Sequence, residues 1–202
     1  MNDFFEKIRA QRWDDHRYYH HSRINQSLHL ISALSFLAGY VLLFIDPAKA
    51  GLLAWGVSMM TRQAGHFFFE PRGYDHVNQA TDEYKEEIKV GYNMRRKVVL
   101  MAACALVPAV LWFEPSLWGL IEPSSSVPEY LHDVGIAWLA LGAAGLLVRV
   151  VQLWIQDDLV TGLAWATKII TDPFHDVMLY YRAPLYLMRG ELVDPMRDAG
   201  HP

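Results

Sequence analysis

Nine histidines in a chain of 202 residues is a high count, and their positions say more than their number. His16, His20, His21 and His29 precede or open the first long apolar stretch, His66 closes the second, His76 follows it, and His175 lies in the tail. Imidazole nitrogens converging from separate helices suit a divalent transition metal such as iron, zinc, copper or nickel, whereas magnesium and calcium prefer oxygen. Residues four apart share a helix face, which pairs His16 with His20 and Asn25 with His29. His20 and His29 are nine apart, half a turn out of phase, so a break must separate them if both bind one ion. The stretch 22–27 is suitable, with Asn25 or Ser27 as the N-cap of the helix that follows. Gln63, His66 and Glu70 fall at i, i+3 and i+7, a polar stripe on an otherwise apolar helix, which is costly in a membrane and points to function. A Glu or Gln beside a ligating His can orient its second nitrogen. Taken singly, each histidine has a second reading as an interfacial anchor, and His66 as a hydrogen-bonded histidine inside a bundle. Arg23, Arg62 and Arg72 lie at the same face, where they could pair with a substrate carboxylate or with lipid phosphate.

The elements that must position these residues are apolar and long. Charged residues crowd into the N-terminal arm, the middle and the tail, while segments 28–45, 51–69, 98–112 (or to 121) and 134–155 carry almost none. The first is just long enough to cross a hydrocarbon core of about 30 Å, and the others are read as spans, the third reaching that length if it runs to 121. The expected fold class is therefore all-α: a polytopic membrane helical bundle of about four transmembrane helices with N-terminal and C-terminal interfacial helices. One integral membrane domain fills 1–202, with an interfacial arm over 1–26, a four-span bundle over 28–156 and a tail over 157–202. The tail reads as an amphipathic helix lying on the membrane around Asp172-Pro173, and Arg149 as a mid-span residue that pairs with an acid or snorkels. Four buried core helices of a soluble bundle are the alternative, but too little polar chain remains to cover them.

Basic residues fall in the arm, in the loop after the second span and in the tail, whereas the opposite side offers only Lys49, so both termini are expected to be cytoplasmic. The polar arm leads straight into a full-length span, which reads as no cleavable signal peptide. A net charge of −4, with both signs mixed, argues against a nucleic-acid partner. The single cysteine, Cys104, excludes a disulfide framework. The bilayer is the expected partner, and a homo-oligomer is compatible with the sequence.

His20-x4-Asn25-x3-His29 (HHSRINQSLH), followed by Gln63-x-Gly65-His66-x3-Glu70 (QAGHFFFE), resembles the 2-hydroxy fatty acid dioxygenase family of fungi and bacteria, a small membrane family. The match covers the first third to half of the chain. The resemblance implies Fe(II) held by His20, His29 and His66, with Asn25, Gln63 and Glu70 as supporting residues of the catalytic centre. It further implies cleavage of 2-hydroxy fatty acids with O2 to an acid one carbon shorter, as in alpha-oxidation. The acyl chain would lie between the helices, with the carboxylate and 2-hydroxyl at the metal. The family's Pro-Ala pair after the glutamate is replaced here by the stretch 71–76, and His76 is the first candidate for a fourth ligand, with His16 and His175 next. Two other functions compete. His16-x3-His20-His21 resembles one box of the membrane di-iron desaturases and hydroxylases, which need several such boxes; a non-catalytic scaffold or small transporter would use His and Arg only as anchors. The chain's brevity favours a bacterial inner membrane over the endoplasmic reticulum.

Overall fold

The computed structural model describes residues 2–70, 73–76, 78–91 and 94–195, and all of its regular elements are helical. α1 (Asn2–Tyr19) forms the N-terminal arm and stops at His20-His21. α2 (Arg23–Leu42) then starts in a new direction, capped by the Ser22 side chain, which accepts from the Asn25 amide. The cap lies three residues before the earliest one the sequence suggests. The reason is that the Asn25 side chain is engaged elsewhere: its Nδ2 donates to the carbonyl of Tyr19, 2.8 Å away, closing the C-terminal end of α1.

After a turn at 43–46, Asp46 caps α3 (Pro47–Leu53), which continues through a π-helical stretch (Ala54–Met59) into α4 (Met60–Phe68). A π turn within an α-helix shifts the faces of all later residues, and such insertions concentrate at functional sites. A short α5 (Asp82–Ile88), capped by Thr81, lies in the polar loop. Three long helices follow: α6 (Met94–Phe113), α7 (Val127–Gln156) and α8 (Leu159–Tyr180), then a final turn, α9 (Ala183–Met188). Ser126 and Asp158 cap α7 and α8, each accepting from the backbone amide three residues on.

Two of the described helices, Arg95–Phe113 and Val127–Gln156, are long and apolar enough to cross a membrane, and only 17% of either apolar stretch is buried. A core helix of a water-soluble protein would be mostly buried, so this outward apolar surface suggests membrane association. α2 spends its first two turns on polar residues, and the α3 to α4 run is divided by its π stretch.

Small residues set the central crossing. α3 packs closely on α7 where Ala48, Gly51 and Gly135 meet: a Cβ on Gly51 would fall 2.0 Å from the Gly135 carbonyl oxygen. α8 departs from the expected surface helix around Asp172-Pro173. It runs unbroken through Pro173 and packs against α1, α2 and α7, burying Lys168, Asp172, Asp176 and Tyr180, which recur every four residues along one face. Arg149 is buried, and its guanidinium donates to the Val90 and Gly91 carbonyls, tying the end of the polar loop to α7.

Candidate metal centre

The break after Tyr19 turns His20 toward the bundle, the first turns of α2 present His29, and α4 presents His66 from the other side. All three are buried, and one nitrogen from each lies within 4.8 Å of the others. The rings of His20 and His29 are 4.1 Å apart between centroids, those of His29 and His66 4.9 Å, and those of His20 and His66 5.4 Å. Ligands about 2.1 Å from one ion lie at most about 4.2 Å apart, so small ring movements would complete the set. This approach makes use of Gly65: a Cβ there would lie 2.1 Å from Asn25 Oδ1, so any side chain would have to displace the Asn25 amide that α2 presents to α4.

Each histidine has its Nδ1 directed at a different partner. His66 Nδ1 is 2.7 Å from Glu70 Oε2, His20 Nδ1 is 2.9 Å from the Tyr180 hydroxyl, and His29 Nδ1 is 3.6 Å from Asp176 Oδ2. Hydrogen-bonded outer partners such as those of His66 and His20 fix ring orientation and leave Nε2 for a metal, whereas the His29 to Asp176 contact is longer than a hydrogen bond. Nε2 of both His20 and His29 is buried without a hydrogen-bond partner among the described residues, which an ion would satisfy. Burial holds His20 well below the ordinary histidine range, so the ring is neutral, as ligation requires.

The Tyr180 hydroxyl also lies 3.0 Å from His16 Nδ1. Burial lowers the His16 pKa to about 4, so its Nδ1 is free to accept at neutral pH. With His20 binding through Nε2, its Nδ1–H donates to the Tyr180 oxygen, and the Tyr180 hydroxyl donates onward to His16. Around this chain lies a balanced ionic network: Arg62 pairs with Asp176 at 2.9 Å, and Lys168 pairs with Asp15 at 2.5 Å and Asp172 at 2.6 Å.

An apolar cavity of about 490 Å³ opens beside the histidines. Phe36 and Tyr40 of α2, Trp55 of the π stretch, Leu100 and Met101 of α6, and Trp138 and Leu146 of α7 line its greasy wall. His20, Gln63, His66, Arg62 and Lys97 line its polar wall. That volume falls within the roughly 300–1,000 Å³ of pockets that enclose small molecules.

No family model, curated protein or solved structure matches the chain. The assignment of a site therefore rests on geometry. Of the residues singled out in the sequence, His20, His29, His66, Asn25, Gln63 and Glu70 are brought together, and Arg62 stands beside them. His16 is one hydroxyl removed from the trio, and His175 lines a small adjoining pocket with His16 and His20 without joining the group. His76 is exposed and packs edge-on against Tyr74, which corrects its reading as a fourth ligand; the polar loop carries it to the surface. Arg23 is likewise engaged elsewhere, 2.8 Å from Asp194 and stacked on Tyr186, so it is not available to a substrate. Arg72 lies outside the described residues.

Tyr180, Asp176, Asp172 and Lys168 were missed. The signal was present, since their four-residue spacing puts polar residues on one side of an apolar helix, as the three- and four-residue spacing of Gln63, His66 and Glu70 does.

Proposed function

We propose that the protein is an iron-dependent membrane dioxygenase that cleaves 2-hydroxy fatty acids, with α2, the α3 to α4 run, α6 and α7 as its four spans and both termini cytoplasmic. The observation that carries this reading is the buried His20, His29 and His66 trio at the polar end of an apolar cavity. Three neutral imidazoles suit Fe(II) and leave coordination positions open for a substrate and for O2. The described residues contain one such trio, which favours a single iron over a di-iron centre.

His20, His29 and His66 would hold the metal through Nε2, and bound Fe(II) would supply the means to activate O2. Glu70 and Tyr180 hold the His66 and His20 rings by hydrogen bonds, and Asp176 faces the His29 ring at 3.6 Å. The apolar wall excludes water and takes the acyl chain, which holds the 2-hydroxy acid head at the histidines. The overall change balances as 2-hydroxy acid plus O2 giving the acid one carbon shorter, CO2 and water. Metal content of anaerobically purified protein, followed by O2 uptake with a 2-hydroxy fatty acid, tests the reading. About one iron per chain, lost in His66→Ala, together with substrate-dependent O2 uptake, is the expected result. No bound metal after Fe(II) reconstitution would overturn it.

A further inference from the structure

Among the described residues, four cations line the cavity, and three of them are already paired. Arg62 is held by Asp176 and Asp172, and Lys168 by Asp15 and Asp172. Lys89 lies 3.6 Å from both Glu70 and Glu86 and over the Tyr19 ring. Lys97 differs: it faces the cavity from α6, one turn before Leu100 and Met101 on the same helix face, and no ion-pair or hydrogen-bond partner for it is found among the described residues. Lys97 is half-buried at the mouth of an apolar cavity, where a cation without a protein counter-ion favours an anionic ligand. Lys97 also lies within electrostatic reach of His66 and Glu70, which places its charge at the metal end of the cavity. On the same wall, Gln63 Oε1 is buried without a donor. A lipid head that carries an anion beside a hydroxyl would answer both.

We propose that Lys97 recognises the carboxylate of the bound lipid and so selects free acids over esters and alcohols of the same chain. This rests on the reading of the cavity as an acyl site, but not on turnover. The carboxylate accepts from the Lys97 ammonium, while Arg62, whose charge is spent on Asp172 and Asp176, shapes the wall without taking the head group.

Binding is read on the full-length, metal-free protein in detergent, with a mid-chain brominated 2-hydroxy fatty acid and its methyl ester as probes. Bromine quenches the Trp55 and Trp138 rings that line the cavity. The wild type is expected to show saturable quenching with a clear preference for the acid. Lys97→Met should bind the acid about tenfold more weakly with ester binding unchanged, and Lys97→Arg should retain the preference. Thermal melts of the variants check that the fold is intact. Acid binding undiminished in Lys97→Met, equal weakening of acid and ester, or a wild type without preference would each overturn the proposal. A protein that discriminates acid from ester through Lys97 yet takes up no O2 would leave this inference standing and remove the dioxygenase reading.

Discussion

Tyr180 reaches across from the end of α8 to place its hydroxyl 2.9 Å from His20 Nδ1, joining the last long helix to the break between the first two. Because the same hydroxyl meets His16, removing it strands two buried ring nitrogens at once. A metal centre whose rings are held by such partners weakens when a partner is lost, even though no ligand is touched.

Tyr180→Phe and Glu70→Gln should therefore each lower metal affinity about 10- to 100-fold while the three histidines remain. Competition against a chelator of known affinity measures this. Affinity equal to that of the wild type in both variants would show that the outer partners do not position the rings.

Gly65→Ala should destabilise the protein by about 1–3 kcal/mol and weaken metal binding together, because the new methyl would collide with Asn25 Oδ1 and displace the side chain whose Nδ2 closes α1 beside His20. Gly56→Ala is the control, since a Cβ there meets nothing within 4 Å and should change stability by less than about 0.5 kcal/mol. Thermal denaturation in detergent compares the two.

Lys168→Met leaves the buried Asp172 and its neighbour Asp15 without the ammonium that joins α8 to α1. Arg12 and Arg62 remain close to Asp172, so the expected cost is about 3 kcal/mol, the low end for a broken buried ion pair. Restoring the balance with Asp172→Asn in the same chain should recover part of the loss. A double variant no more stable than the single one would show that charge balance is not what the lysine supplies.

Acidification should loosen α1. Burial holds the native His16 pKa at about 4, whereas in the unfolded chain it lies near 6.5, so below neutral pH the unfolded chain takes up a proton that the folded one refuses. The stabilisation is complete above about pH 6.5 and is lost as pH falls toward about 4, to the extent of roughly 3 kcal/mol. His16→Asn, which cannot titrate, should show a shallower fall of melting temperature between pH 7 and 4.5. Parallel curves for the two proteins would refute the assignment.

Much of the site was legible along the chain because it obeys local rules. The nine-residue separation of His20 and His29 requires a helix break, and the chain breaks at His20-His21. The spacing of Gln63, His66 and Glu70 places them on one stripe, and Glu70 does meet His66. What the sequence could not decide was which polar residues of one helix would meet those of another. Arg72 and His76 follow the second apolar stretch within a few residues of Glu70, yet the polar loop takes His76 to the surface. Asp172-Pro173 reads as a surface break, but packing on α1, α2 and α7 keeps α8 straight through the proline and turns its four-residue polar stripe inward. Arg62, Lys89, Lys97 and Lys168 are equivalent as charges in the sequence; only the fold pairs three of them with acids and leaves Lys97 facing the cavity. Periodicity and residue type fix what a single helix presents, because both follow from its own backbone geometry. Partner choice depends on contacts between residues more than a hundred positions apart, as between His20 and Tyr180, and those exist only once the helices have packed.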